Sequence, residues 1–348
     1  MNVQDLDSPV PIVDVDIVER NLVRMQSYCD GHGLALRPHI KTHKIPDLAR
    51  RQVEMGACGI TCQKLGEAEV MVESGLTNVL ISYPLIGPLK AARLVSLARK
   101  ARMSVAVDSE TGLETIVMAS KEADGEIGVL IEFDSGAHRT GVVAVSEAVS
   151  LAQKASDRRG IRFEGLVTYP TTSATAEFVE EAKEAFHHAG IPIHIVSGGG
   201  TPNAWSAHTI SGLTEVRVGT YVYNDLTQVE EGSATLDECA FHIYATVVSR
   251  PTADQAILDC GSKTLSSDHN GHGFGLIREY PEARIGRLYE EHALVDLAEC
   301  PDKPGIGERV RVLPNHVCPV SNLHDEVVLI SGETVVGRWA VAARGKTT

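Results

Sequence analysis

The chain has 348 residues, of which 43% are hydrophobic and 22% charged, a balance that can bury one large core or two modest ones and that excludes a disordered or fibrous protein. Its 46 acidic residues against 32 basic ones give a net charge of −14, and no cluster of lysine or arginine forms a stripe for phosphate backbones, which argues against a nucleic-acid partner. Apolar runs such as 129–131 and 327–330 fall far short of the roughly 20 residues that cross a bilayer, so no membrane span is expected. Asp5 and Asp7 stand where a signal peptide carries basic residues, and no apolar stretch follows them, so a cytoplasmic location is expected. The seven cysteines are odd in number and scattered, which argues against disulfide stapling but leaves single thiols free to bind metal.

In chain order, a strand-like piece comes first, Pro9-Val10-Pro11-Ile12-Val13-Asp14. From there to about residue 240, short apolar or β-branched runs alternate with stretches of 3.6-residue periodicity, the pattern of βα units and a parallel sheet. Strands are expected at 34–40, 59–63, 78–83, 103–108, 127–134, 163–169, 193–197 and 215–221. Helices fill the gaps, most clearly at 88–101 and 174–189, where Ala, Leu, Val and Phe take one face and Lys, Glu and Arg the other. Eight such units suit a (β/α)8 barrel of the TIM type, with catalytic groups at the C-terminal ends of its strands. A doubly wound open sheet is the runner-up. After Ala240 the pattern changes to alternating segments at 241–248, 255–259, 309–313 and 326–330, which read as a separate antiparallel β domain. The expected division is therefore a barrel over 16–240 and a β domain from 1–15 plus 241–348, the first strand-like piece pairing with the second domain.

Three segments could carry chemistry. Arg37-Pro38-His39-Ile40-Lys41-Thr42-His43-Lys44 begins inside the first barrel strand and ends beyond it, which puts Lys41 at the barrel mouth. A lysine that is desolvated and crowded by cations there loses proton affinity and can form a Schiff base with an aldehyde; the plainer reading is a solvated basic loop. Ser197-Gly198-Gly199-Gly200-Thr201-Pro202 closes the seventh strand and opens a helix at Asn203, so converging N–H groups could cradle a phosphate, with Gly219-Thr220-Tyr221 adding amides and hydroxyls after the eighth. The alternative is a tight turn. In Pro314-Asn315-His316-Val317-Cys318-Pro319, residues two apart on an extended segment share a side, so His316 and Cys318 could grip one metal ion and leave its other positions open. A buried cysteine beside a turn histidine is the alternative. Arg139, after the fifth strand, could aim at a ring nitrogen or a carboxylate or serve as an ordinary salt-bridge partner, and Tyr169, after the sixth, could donate a hydrogen bond or line the rim.

These segments, together with Cys62-Gln63-Lys64, resemble the D-threonine aldolase and D-serine dehydratase family over about 11–344. That family uses pyridoxal phosphate on an alanine-racemase-like barrel with a C-terminal β domain, known as fold-type III. The resemblance implies that Lys41 carries the cofactor, that Gly199, Gly200, Thr201, Gly219 and Tyr221 form the phosphate cup, and that Arg139 faces the pyridine nitrogen. It also makes His39, Gln63, Tyr169, Ser197 and Thr220 cofactor contacts, with Tyr169 joining Lys41 as a catalytic candidate. An arginine at the pyridine nitrogen weakens the ring as an electron sink, which makes a metal that polarises a substrate β-hydroxyl a useful second electrophile. His316 and Cys318 are its implied ligands, for zinc or manganese, with magnesium a further candidate.

The implied activity is cleavage of D-β-hydroxy-α-amino acids to glycine and an aldehyde, as in D-threonine aldolase. The alternative is dehydration to a 2-oxo acid and ammonia, as in D-serine or D-3-hydroxyaspartate dehydratase. A racemase and a non-catalytic pyridoxal-phosphate-binding protein are further alternatives. Aldolase members tend to place aspartate at the position of Cys318, which favours the dehydratase branch. Pro170 stands where members of both branches tend to keep a histidine, and His39, His43, His138 and Thr171 are the candidates to replace it. A homodimer is expected by analogy with the fold.

Overall fold

The computed structural model describes residues 1–348. Its first sheet is built from the eight expected runs, as Ala35–Leu36, Ile60–Cys62, Asn78–Ile81, Arg102–Val107, Ile127–Glu132, Ile161–Val167, Ile195–Gly199 and Glu215–Arg217. Each strand pairs in parallel with the next from the second to the eighth, and the eighth pairs in parallel with the first. A bridge between His39 and Thr61 links the first to the second and closes the ring. Central strands of such a sheet are covered on both faces, which is why Ile127–Glu132 is buried at all six positions and reads as one apolar run.

The intervening helices follow from their caps. Pro88–Ala98 starts on Pro88 at its first position, where a missing N–H costs nothing. Glu110–Ala123 starts on Ser109, whose hydroxyl accepts from Gly112 N–H, and stops at Asp124 in a left-handed conformation. Three expected elements differ, one of them the eighth strand, which ends at Arg217 instead of residue 221 and is followed by the 3-10 turn Thr220–Val222. The first strand ends at Leu36 instead of residue 40, because Pro38 has no N–H to donate and the chain then tightens into the 3-10 turn Ile40–Thr42. The helix expected from Asn203 is a six-residue 3-10 segment, Ala204–Thr209, too short to build a helix dipole behind the glycine run.

The other sheet is mostly antiparallel. Val10–Asp14 lies in it, antiparallel to Phe241–Thr252 and parallel to Glu326–Ser331. Gln255–Leu258 and Arg309–Leu313 fall at expected places, while Arg284–Leu288, Ala293–Asp296 and Thr334–Ala340 carry too little apolar alternation to be legible as strands. By compactness the chain divides into Met1–Arg24, Thr42–Ile45 and Thr220–Gly345, the β unit, and Met25–Lys41, Pro46–Gly219 and Lys346–Thr348, the barrel unit. No helix is long and apolar enough to cross a membrane.

His242, on Phe241–Thr252, is buried with no hydrogen-bond partner for Nε2. Burial, reinforced by Arg311 and Arg278, draws its imidazole down to about 3. An unfolded histidine titrates at about 6.5, so between those values the unfolded chain binds the extra proton. The stability this group contributes is full above about pH 6.5 and is lost as the pH falls toward the folded value. Urea midpoints at about pH 7.5 and about pH 4.5 should therefore differ less in His242→Gln than in the wild type, and an equal drop in both would clear His242 of the effect.

Candidate functional site

Lys41 sits half-buried in the turn Ile40–Thr42, beyond the end of the first barrel strand. Its backbone N–H donates to His39 Nδ1 at 3.3 Å. The His39 proton therefore sits on Nε2, which lies 3.0 Å from Gln63 Oε1 and 3.3 Å from Ser82 Oγ. Gln63 is fixed in turn by donating Nε2–H to the Ser82 carbonyl at 3.3 Å. His39 and Gln63 thus brace the lysine turn from beneath.

The lysine faces an aromatic ring. Lys41 Nζ is 5.8 Å from the centroid of Tyr169, and the exposed Arg139 guanidinium is 4.7 Å from the same centroid. Tyr169 is itself 39% exposed, and its ring gathers two cations. Behind it lies the glycine run. A Cβ on Gly199 would stand 3.2 Å from Tyr169 Cδ2 and 3.2 Å from Arg217, and Gly200 has a φ of +113°, which side chains rarely tolerate. Backbone free of side chains beside an amine and a guanidinium fits a phosphorylated aldehyde.

The remaining cofactor candidates separate. Thr201 is buried, with its carbonyl accepting from Ala204 N–H at 3.1 Å. Ser197 donates its hydroxyl proton to Glu215 Oε1 at 2.6 Å and accepts from Arg217 Nη1 at 2.7 Å, which leaves it no proton for a phosphate oxygen. Gly219 ends the barrel unit, and Thr220 and Tyr221 are buried in the turn Thr220–Val222 of the β unit. Each of the four candidates for the histidine missing at Pro170 already has a hydrogen-bond partner. His39 is braced as above. His43 Nδ1 accepts from Ile45 N–H at 3.0 Å, His138 Nδ1 lies 3.1 Å from Asp134 Oδ2, and Thr171 donates to the Gly199 carbonyl at 3.1 Å.

In the β unit, His316 and Cys318 do adjoin, though by a different geometry from the extended segment expected. His316 is the extended residue before a short helix, Val317–Ser321, and Cys318 lies in its first turn, where Pro319 is tolerated. The Cys318 thiol hydrogen-bonds His316 and also meets Thr42 Oγ1 at 3.2 Å. Asp225, fully buried, accepts from His316 Nδ1 at 3.0 Å and from Val317 N–H at 2.9 Å through Oδ2, and from Gln228 N–H at 3.0 Å through Oδ1. This leaves His316 Nε2 as the outward donor atom and makes the imidazole more basic, the arrangement that metal-ligating histidines share. Burial opposes charge on His316, but Asp225 and Cys318 outweigh it and push its pKa up to about 10. The negative charge that holds this proton would equally favour a metal cation, which has to displace the proton from the same lone pair. No group of three or more His, Cys, Asp or Glu that could hold a metal ion is present, so His316 and Cys318 stand as a pair.

Asp225, Arg217 and Glu132 went unread in the sequence. Asp225 carried one local signal, the Asp-x-x-Gln spacing of a helix N-cap before Gln228, but its bond to His316 spans 91 positions. Arg217 is wholly buried, and burial draws its guanidinium down to about 10 despite Glu215 and Glu132. Removing Asp225 orphans three donors, two of them buried, Val317 N–H and Gln228 N–H. Asp225→Ala should destabilise the protein by about 2 kcal/mol or more in urea unfolding, and a change below about 0.5 kcal/mol would show that water replaces the carboxylate.

Comparisons with known proteins bear on both units. Residues 13–227 match the family model of the alanine racemase N-terminal domain, and residues 240–330 match that of a putative serine dehydratase domain. D-threonine aldolase of Arthrobacter sp. is 34% identical, covering 98% of this chain and 93% of its own length. D-threo-3-hydroxyaspartate dehydratase of Delftia sp. strain HT23 is 30% identical, covering 96% of this chain and 97% of its own. Among solved structures, D-threonine aldolase from Filomicrobium marinum superposes with a TM-score of 0.92 at 32% identity, over 99% of this chain and 98% of its own.

Proposed function

The chain belongs to the alanine-racemase-like family of D-threonine aldolases and D-serine dehydratases, and on that premise we propose that it is a pyridoxal-phosphate- and metal-dependent lyase of D-β-hydroxy-α-amino acids, cleaving them to glycine and an aldehyde. The observation that carries this reading is the convergence of Lys41, Arg139 and the Gly199-Gly200 backbone on the Tyr169 ring.

In this reading the Lys41 amine holds the cofactor aldehyde, and Gly199, Gly200, Thr201, Gly219, Thr220 and Tyr221 hold its phosphate. When bound, the cofactor supplies an electron sink for the bond broken at the substrate α-carbon. Arg139 keeps positive charge beside the ring nitrogen, Tyr169 backs the lysine, and His39 with Gln63 fixes the turn that carries it. His316 and Cys318 hold a divalent metal, zinc or manganese. The thiolate leans toward zinc. Such an ion draws electron density from a β-hydroxyl, and Asp225 keeps His316 oriented toward it. Residues 16–240 serve as the cofactor-binding barrel and 1–15 with 241–348 as the metal-bearing domain, in a cytoplasmic homodimer.

Cys318 favours a second reading, dehydration to a 2-oxo acid and ammonia. Product analysis of cofactor-loaded enzyme with D-threonine and D-serine, across added zinc and manganese, separates the two: glycine with acetaldehyde establishes the aldolase, oxo acid with ammonia the dehydratase, and neither pair refutes both.

Lys41→Ala should lose the visible absorbance of lysine-bound pyridoxal phosphate, and borohydride should label Lys41 in the wild type. A label fixed on another residue would sink the assignment. Chelation should stop turnover while that absorbance persists, and Asp225→Asn should weaken metal binding by about 10–100-fold in a competition titration. Full activity in verified metal-free enzyme would remove the metal from the reaction.

A further inference from the structure

Glu132 ends the fifth barrel strand, 5% exposed, and nothing in the proposed chemistry uses it. Its Oε1 accepts from Thr140 Oγ1 at 2.7 Å, and its backbone carbonyl accepts from Val142 N–H at 2.9 Å. Its Oε2 is buried with no partner. The charged groups around it come from three elements: Arg217 on the eighth strand, Asp108 after the fourth, and Arg139 in the turn that Thr140 anchors. Asp108 also grips that turn, accepting from Gly141 N–H at 3.2 Å, and Asp134 accepts from Gly136 N–H at 2.9 Å. Burial holds the Glu132 carboxyl above the usual carboxylate range, against Thr140 and the two arginines.

As a mere tether for Thr140 this carboxyl is poorly chosen. A hydroxyl donates as well to an amide oxygen, whereas a carboxylate oxygen buried without a partner works against folding. What a carboxylate adds over an amide is negative charge, 2.7 Å from the hydroxyl of the residue that follows Arg139 and within electrostatic reach of Arg139 and Arg217.

We propose that Glu132 is a positioning residue of the active site, its buried carboxylate being the counter-charge that sets the Arg139 guanidinium over the Tyr169 ring and thereby the charge beside the cofactor. The inference rests on the reading of Lys41 as the cofactor-bearing lysine. Residues that hold a functional charge at the expense of folding betray themselves when replaced, because stability and function move in opposite directions.

The test compares the cofactor-loaded wild type with Glu132→Gln and Thr140→Val. Glu132→Gln keeps the shape and an acceptor for Thr140 but removes the charge, and Thr140→Val removes the tether but keeps the charge. In Glu132→Gln the Tm should hold or rise and kcat should fall with KM little changed. The pH at which the absorbance of the bound cofactor changes form should move down by about one unit, because a neighbouring negative charge no longer favours the protonated form. In Thr140→Val that transition should stay in place. The transition decides. If it is unmoved in Glu132→Gln, whatever the Tm does, Glu132 is structural and the proposal is overturned; if Thr140→Val moves it equally, the tether acts instead of the charge, which also overturns it. Wild-type enzyme that yields no borohydride-stable cofactor on Lys41 ends both this inference and the reading beneath it, and shows itself before any variant is compared.

Discussion

Glu215, 3% exposed on the eighth barrel strand, receives Arg37 Nε at 2.8 Å on one oxygen and Ser197 Oγ at 2.6 Å on the other. Ser197 in turn accepts from Arg217, whose second arm donates to the Thr168 carbonyl at 2.7 Å, while Arg37 also donates to Asn78 at 3.1 Å. One carboxylate thus ties together the first, third, seventh and eighth strands and the chain leaving the sixth. Breaking a buried pair of this kind by removing one partner costs about 3–5 kcal/mol, because the charge left behind has no water to turn to. The segments that leave these strands carry Lys41, Tyr169, the glycine run and Gly219, so the network fixes the starting points of nearly every side chain assigned to the cofactor.

Charge is distributed unevenly above this foundation. The chain is strongly acidic, yet the barrel unit gathers Lys41 and Arg139 around one aromatic ring, a local field that suits anionic groups. In the β unit the sign is reversed. Buried Asp225 and the Cys318 thiol surround His316 and favour a cation there. The two sites therefore sort their occupants by charge before shape enters.

The barrel was legible because parallel strands covered on both faces become continuous apolar runs at βα spacing, and all eight lie where that spacing put them. Lys41 and the glycine run were legible for the same reason, since they sit where strands end. His316 and Cys318 do adjoin, but at a helix start in place of the extended strand expected. What stayed hidden was long-range polar pairing. Nothing local to Asp225, Arg217 or Glu132 reveals a partner dozens of positions away, and Ser197 looked like part of a phosphate loop until its hydroxyl was found between Glu215 and Arg217. Thr334–Ala340 alternates between exposed and half-buried positions but buries no residue fully, and Val335 and Val336 side by side hide that alternation in the sequence.

The chain passes between the two compact units five times, and one of the passages is the tetrapeptide Thr42–Ile45, which directly follows Lys41. That tetrapeptide is held in the β unit by Thr42 on Cys318, by the His43 carbonyl on Ser321 at 3.5 Å and by the Lys44 carbonyl on Ala343 N–H at 3.1 Å. No single cut in the chain separates the units, so a fragment trimmed to the barrel alone loses the native partners of the residues next to its lysine. Chimeras with a relative face the same arithmetic: an exchanged β unit has to bring its own tetrapeptide, and the lysine turn and the thiol are inherited as one module.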